Sequence, residues 1–330
     1  MSTTKLFRVK LKFKTPVHFG DREKTYNTTQ TMAHSDTIMS AIINAYSLLF
    51  GKEKADGLVK SFLEGKPVFK VSSTMPYVNS RYFVFKPMGL DLSRYVSVDD
   101  IKKIKKVKFV CEEDLKNLFK GDYEPVGEFL VRSDEKDMFS SSFVSVKERP
   151  RVAMDRITSS PNIYYFSHCQ FKEDAGLWFY LEILDLAQEK EIKAAVRLLG
   201  DEGIGGERTA GLGLFEPEFL EVSDKDKKQA SHYMLLSLAN PKDSSEIEKF
   251  EYYDIITRSG YIYSKGDWGA KKKIVRMFSE GSVVKGEVFG RVVDVTPANY
   301  NLHPVLRYGL AFLIPLPEGV SFVDCQNISA

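Results

Sequence analysis

The residue types best suited to hold a ligand cluster in one short segment, Gly203-Ile204-Gly205-Gly206-Glu207-Arg208-Thr209-Ala210-Gly211-Leu212-Gly213. Gly203, Gly205, Gly206, Gly211 and Gly213 leave the backbone without Cβ atoms, so its N–H groups can face an anion. Arg208 adds a cation and Thr209 a hydroxyl. Two readings of the segment stand. It is a seat for an anionic polymer lying across it, or a glycine-terminated helix joined to a strand by a loose turn.

What positions the loop narrows the chemistry. Upstream, Gln188 to Leu199 has the period of a helix, with Ile192, Ala195, Val196 and Leu199 on one apolar stripe; downstream, Leu212-Gly213-Leu214-Phe215 leads into a strand. Dinucleotide and P-loop folds run the other way, from strand through glycine loop to helix, so that phosphate meets a helix N-terminus. The missing Gly-Lys-Ser/Thr ending agrees. ATP and NAD are disfavoured, and no cofactor is expected.

The first strand carries a second feature. From Leu6 to Lys14, Phe7, Val9, Leu11 and Phe13 alternate with Arg8, Lys10, Lys12 and Lys14, which predicts one buried face and one row of cations, serving solubility or a phosphate track. After Thr15-Pro16-Val17-His18-Phe19-Gly20, Ser35 or Asp36 is expected to cap a helix over 37–50, stopped by Gly51. Its stripe of Ile38, Ala41, Ile42, Ala45, Leu48 and Leu49 is expected on the strand. A second helix near Ala55 to Leu63 and strands over 68–78 and 81–85 follow.

The order strand, helix, strand, strand, helix, strand is that of a ferredoxin-like (RRM-like) unit, with residues of about 88–176 inserted and the loop at 203–213 in its closing half. In the insert, the lysines of 102–108 are balanced by Glu112-Glu113-Asp114 and read as a solvated face. Arg149 to Arg156 and Ile163 to Phe166 flank a Ser159-Ser160-Pro161-Asn162 turn, which predicts a hairpin with arginines on one arm and aromatics on the other. That combination suits a nucleic-acid strand. The charged run from Ser223 to Lys228 divides residues 1–222 from a β-rich unit, 223–330, whose length fits a degenerate second copy. The fold class is α+β.

At 330 residues and net charge +2, any nucleic-acid footprint must be a local patch. Cys111, Cys169 and Cys325 are far apart and the five histidines scattered, which leaves a metal site and a disulfide framework unsupported. No apolar leader or membrane span is evident, so a soluble cytoplasmic protein is expected.

Several stretches together resemble one family: Thr15-Pro16-Val17-His18-Phe19-Gly20, His34-Ser35-Asp36-Thr37, Pro150-Arg151-Val152 with Asp155-Arg156, and the glycine loop with Arg208. To these are added Arg258-Ser259-Gly260-Tyr261, Met277-Phe278-Ser279-Glu280-Gly281-Ser282 and His303-Pro304-Val305-Leu306-Arg307-Tyr308-Gly309. The ensemble, covering nearly the whole chain, is similar to the fourth subunit of the type III-A CRISPR effector, the Csm complex, within the RAMP superfamily.

The resemblance implies two ferredoxin-like domains, a glycine-rich loop after the second helix and a protruding β-hairpin thumb, for which residues 149–171 or an adjacent part of the insert are the candidate. It implies a non-catalytic scaffold that caps the 5′ tag of the guide RNA (crRNA), docks the large polymerase-like subunit and adjoins the first backbone RAMP subunit. The loop glycines, Arg208 and Thr209 would then grip the tag, with Lys10, Lys12, His34, Ser35, Arg151 and Arg156 as further contacts. Arg258 and Arg307 would serve RNA, a neighbouring subunit or ion pairing. Because guide-processing relatives use histidine, an alternative is a metal-independent endoribonuclease acting on repeat RNA, with His34 as general acid or base and His18 as its partner.

Overall fold

The computed structural model describes residues 4–20, 26–96, 101–117, 119–139, 142–154, 157, 160–223, 229–264 and 267–323. Arg156, on which one expected contact falls, lies outside them, as does the charged run after Ser223, residues 224–228.

The first unit comprises β1 (Lys5–Phe13), α1 (Ser35–Phe50), α2 (Lys52–Leu63), β2 (Phe69–Val71), β3 (Met75–Val78) and β4 (Arg81–Phe85). It continues through β5 (Phe109–Cys111), β6 (Tyr123–Val126), β7 (Phe129–Arg132), β8 (Val144–Met154), β9 (Pro161–Phe171), β10 (Ala175–Ile183), α3 (Glu189–Glu202) and β11 (Phe215–Val222). A nine-stranded sheet runs β11-β1-β10-β3-β4-β5-β7-β6, with β2 also paired to β10. β1 lies between β10 and β11, with Lys10 opposite Trp178 on one side and Glu218 on the other.

The alternation of β1 decides which face is which. Phe7, Val9 and Leu11 are buried in one cluster with Ile38, Ile42 and Ala45 of α1 and with Ile192, Ala195, Val196 and Leu199 of α3. The opposite face, with Trp178 and Tyr180, is covered by the insert and by Met234, Leu236 and Phe312 of the C-terminal unit. Both faces are therefore shielded, one by helices and one by a second layer of strands.

Several local expectations are corrected. His34, with no side-chain cap, is the N-cap of α1; Ser35 and Asp36 are already helical, because their side chains are claimed from the C-terminal unit. Leu48 and Leu49 are exposed, at 51% and 44%, while Met39 and Tyr46 face inward. Tyr46 reaches Glu191 of α3 at 2.5 Å, so contact with α3 sets the rotation of α1. In the insert the lysines of the short helix Ile101–Lys106 are exposed, as expected of a solvated face, but Glu112 turns inward instead of balancing them. Glu112 holds Arg8 at 2.7 Å and accepts the Tyr180 hydroxyl at 2.6 Å.

The second unit contains β12 (His232–Leu235), the single turn α4 (Ser244–Ile247), β13 (Phe250–Tyr252), β14 (Ile255–Arg258), β15 (Tyr261–Ser264), β16 (Asp267–Lys271), β17 (Val275–Phe278), β18 (Val283–Lys285) and β19 (Leu313–Pro315). Four strands form a sheet in the order β13-β18-β12-β19, and β14 pairs with β17 and β15 with β16 as separate ribbons. Among the described residues no helix is long and apolar enough to cross a membrane, and no three potential ligands cluster as a metal site.

Candidate nucleic-acid interface

The glycine loop starts where α3 ends, at Gly203 with φ +83°. It folds back on the exit of β1: the Gly206 amide donates to His18 O at 2.8 Å and the Gly213 amide to Pro16 O at 2.8 Å. The Leu214 amide donates to Thr15 Oγ1 at 3.0 Å. A Cβ at Gly213 would lie 2.0 Å from Ile204 O, one at Gly205 2.3 Å from His18 O, and one at Gly203 2.5 Å from Leu212 O. At Gly206 it would meet the His18 ring at 2.8 Å. The space these four glycines create is thus taken by the chain's own approach to itself, whereas Gly211, at φ +78°, opens on free space.

At the crest, Glu207 adopts the left-handed conformation at φ +59°, and Arg208–Ala210 forms a single turn with Thr209 exposed. Among the described residues the Gly205 and Glu207 amides meet no acceptor, which leaves two N–H groups in the stretch that leads to Arg208. Arg208 makes no ion pair among those residues and lies 4.7 Å over the Tyr263 ring.

The hairpin of β8 and β9 meets the loop from the other side. Its register sets Lys147 opposite His168, Arg149 opposite Phe166 and Arg151 opposite Tyr164, so cations and rings share one face. Arg151 pairs with Glu207 and sits 4.4 Å over Phe166. His18, buried between hairpin and loop, contacts Ser167 O through Nδ1 at 2.8 Å. The other face carries exposed Val152, Met154, Ile163 and Tyr165.

The third side is the N-terminus of α1 with the C-terminal unit on it. Asp36 is buried and accepts two bonds of 3.0 Å from Arg258 and a third from Arg307. Burial opposes its charge, yet the two guanidiniums hold its carboxyl well below the usual range. Ser35 is also buried, its hydroxyl accepting the Leu238 amide at 3.0 Å. His34 Nδ1 meets Glu280 Oε1 at 2.8 Å, and Ser73 donates to the same oxygen. Burial disfavours the imidazolium, but the Glu280 carboxylate outweighs it and raises the His34 pKa. The N-cap and the first two residues of α1 thereby tie the helix start to Leu238, Arg258, Glu280 and Arg307. Arg258 and Arg307 are engaged in ion pairing within the protein.

Between these parts lies a cleft of about 340 Å³, lined by the glycine loop, the start of α1, Arg258 and Arg307, Tyr261 and Tyr263, and Lys272. Lys10 and Lys12 are elsewhere, on the sheet face away from α1 and α3. Lys10 lies 4.2 Å over Tyr77, and Lys12 pairs with Glu218 at 2.8 Å. Their neighbours Arg8 and Lys14 meet Glu112 of the insert and Glu216, so β11, paired with β1, supplies the carboxylates for Lys12 and Lys14.

The structure therefore gathers His18, His34, Arg151, Arg208, Arg258 and Arg307 around the loop. Sequence reasoning missed Glu207, Glu280 and Lys272. Glu207 carried a signal, since a carboxylate inside a glycine loop calls for a cation. Lys272 lies in Lys271-Lys272-Lys273, which is indistinguishable in sequence from a solvated run.

Comparison with known proteins bears on the whole chain. The RAMP superfamily matches residues 10–216 and the CRISPR Csm4 C-terminal domain matches residues 228–316. A Thermococcus onnurineus protein named CRISPR system Cms protein Csm4 is 30% identical, over 87% of this chain and 93% of its own length. The Methanocaldococcus jannaschii protein of the same name is 27% identical over 89% of each chain. Among solved structures, a Csm3–Csm4 subcomplex of the type III-A interference complex aligns with TM-score 0.67 and 22% identity, covering 95% of this chain and 99% of the matched one. A Csm1–Csm4 cassette with pppApA aligns at 0.60 and 23%, covering 96% and 100%. The chain belongs to the Csm4 family of the RAMP superfamily.

Proposed function

We propose that this chain is the subunit of a type III-A CRISPR interference complex that seats the 5′ tag of the guide RNA (crRNA). In this reading it docks the large polymerase-like subunit and adjoins a backbone RAMP subunit, as the Csm1–Csm4 and Csm3–Csm4 assemblies of its structural relatives suggest. It is a scaffold with no chemistry of its own, and it acts in the cytoplasm. The 1–222 unit is a ferredoxin-like (RRM-like) domain, because β11, β1, β10 and β2 follow the fourth-first-third-second strand order of that fold. The 223–330 unit is its degenerate copy: β19, β12, β18 and β13 repeat the order, with α4 reduced to one turn. The β8–β9 hairpin is the thumb.

The observation that carries the reading is the convergence at the loop crest. Arg208 stands without an ion pair among the described residues and lies over the exposed Tyr263 ring, while Arg151 reaches the adjoining Glu207 from the hairpin with the buried Phe166 ring beneath it and half-buried Tyr164 opposite. A single strand presents phosphates and unstacked bases together, and this surface offers cations and rings together.

The test is binding of tag-bearing guide RNA by the assembled complex, comparing wild type with Arg208→Glu combined with Arg151→Glu. An affinity at least tenfold lower, with a shallower salt dependence, is expected. Unchanged affinity would overturn the proposal. The endoribonuclease alternative gains nothing specific from the site, since each histidine is tied by Nδ1 to the protein. Specific cleavage of labelled repeat RNA by wild type, lost in His34→Ala, would nevertheless replace the scaffold reading.

A further inference from the structure

The cleft beside the loop has a chemistry of its own. Arg208, Arg258, Lys272 and Arg307 line it against one lining carboxylate, Asp36. Asp36 is committed to Arg258 and Arg307, which leaves Lys272 and Arg208 as the cations free of an ion pair among the described residues. Set beside two guanidiniums, the Lys272 amine is disfavoured in its charged form. Burial, and then Arg307, push the Lys272 pKa down to about 8, Arg258 acting the same way and Asp36 opposing.

Aromatic rings line the same cleft. Tyr261 and Tyr263 project from the same face of β15, are 42% and 56% exposed, and line the cleft. Arg208 covers one face of Tyr263. A volume of about 340 Å³ is at the small end of the roughly 300–1,000 Å³ typical of ligand clefts, which suits one mononucleotide unit and no duplex.

We infer that this cleft takes a single splayed nucleotide of the bound strand, with its phosphate at Lys272 and its base on Tyr261. The inference rests on the guide-RNA reading and deepens it, because the receiving site is built by both units: the glycine loop and α1 from one, β14–β15 and Lys272 from the other. An arriving phosphate supplies the counter-charge that Lys272 lacks. Binding and protonation of the amine are then coupled, and affinity falls as pH rises from 7 to 9.

The experiment measures the affinity of the assembled complex for its guide RNA across that pH range, for wild type, Lys272→Ala, Lys272→Arg and Tyr261→Ala. Lys105→Ala, on the remote short helix, is the control. Lys272→Ala is expected to bind at least tenfold more weakly at pH 7, with a salt slope shallower by about 0.7, the value of one single-strand phosphate contact. Lys272→Arg should restore most of the affinity and remove the pH dependence, since guanidinium stays charged. Tyr261→Ala should lose roughly five- to a hundredfold, the worth of one stacked base. Wild-type affinity in Lys272→Ala, or an equal loss in Lys105→Ala, would overturn the inference while leaving guide binding in place. A wild-type complex that holds no guide RNA would remove the functional reading itself.

Discussion

Replacing Asp36 by alanine should undo the junction between the two units. The carboxylate accepts two bonds of 3.0 Å from Arg258 and one from Arg307, and it sits in the first turn of α1, where the helix dipole favours negative charge. Its removal leaves Arg258 and Arg307 facing each other beside Lys272 with no carboxylate between them. Arg307 is 5% exposed and its Nε has no partner among the described residues, so solvent cannot take over. Breaking a buried pair by deleting one member costs about 3–5 kcal/mol, and about 4 kcal/mol is nearly a thousandfold in the docking equilibrium. Asp36→Asn keeps an acceptor oxygen without the charge and should lose roughly half as much. Urea unfolding gives the total, and hydrogen exchange at α1 and β14 locates it. Because the folded-state pKa of Asp36 is depressed, its contribution is present above the unfolded value of about 3.9 and is lost as pH falls through the folded value. A loss below about 1 kcal/mol in Asp36→Ala would refute the reasoning and assign the junction to neutral bonds such as that from the Val71 amide to the Tyr308 hydroxyl at 3.0 Å.

The neighbouring His34–Glu280 pair has the opposite pH sense on its histidine side. The raised His34 pKa gives stability that is full below about pH 6.5 and is lost as pH rises through the folded value, so His34→Ala should flatten the alkaline limb of the unfolding midpoint against pH. Glu280, lowered by His34 against the cost of burial, loses its contribution only as acid titrates it, so the acid limb tests it separately. In the loop, Gly213→Ala should cost about 3 kcal/mol or more, combining left-handed strain with a 2.0 Å clash, whereas Gly211→Ala, left-handed but unobstructed, should cost about 1–2 kcal/mol. Equal thermal shifts for the two would contradict the proposed use of the glycines. Glu207→Gln should speed hydrogen exchange in β9 by loosening Arg151, and unchanged exchange would show the hairpin to be held elsewhere.

How far the sequence discloses this arrangement depends on how local each cause is. The alternation of Phe7, Val9 and Leu11 and the stripe of α3 announce themselves because strand and helix periods are written in neighbouring residues. The cap of α1 does not, because the Ser35 hydroxyl is taken by the Leu238 amide and Asp36 by Arg307, 203 and 271 positions away. The glycine loop is visible as a loop, but the object its glycines approach is the chain at Pro16 and His18, which only the packed fold reveals. Likewise Lys12 is a free cation in sequence and an ion-paired one in the sheet, since Glu218 is brought alongside by strand pairing. The cleft is the extreme case: its wall and floor come from two units, and no window of sequence contains both.

Ultraviolet crosslinking of guide RNA within the assembled complex, followed by peptide mapping, tests the central claim most directly. Crosslinks should fall within residues 203–213 and on the strands β8 and β9. Crosslinks confined to the sheet face that bears Lys10 and Lys12, or none to this chain, would contradict it.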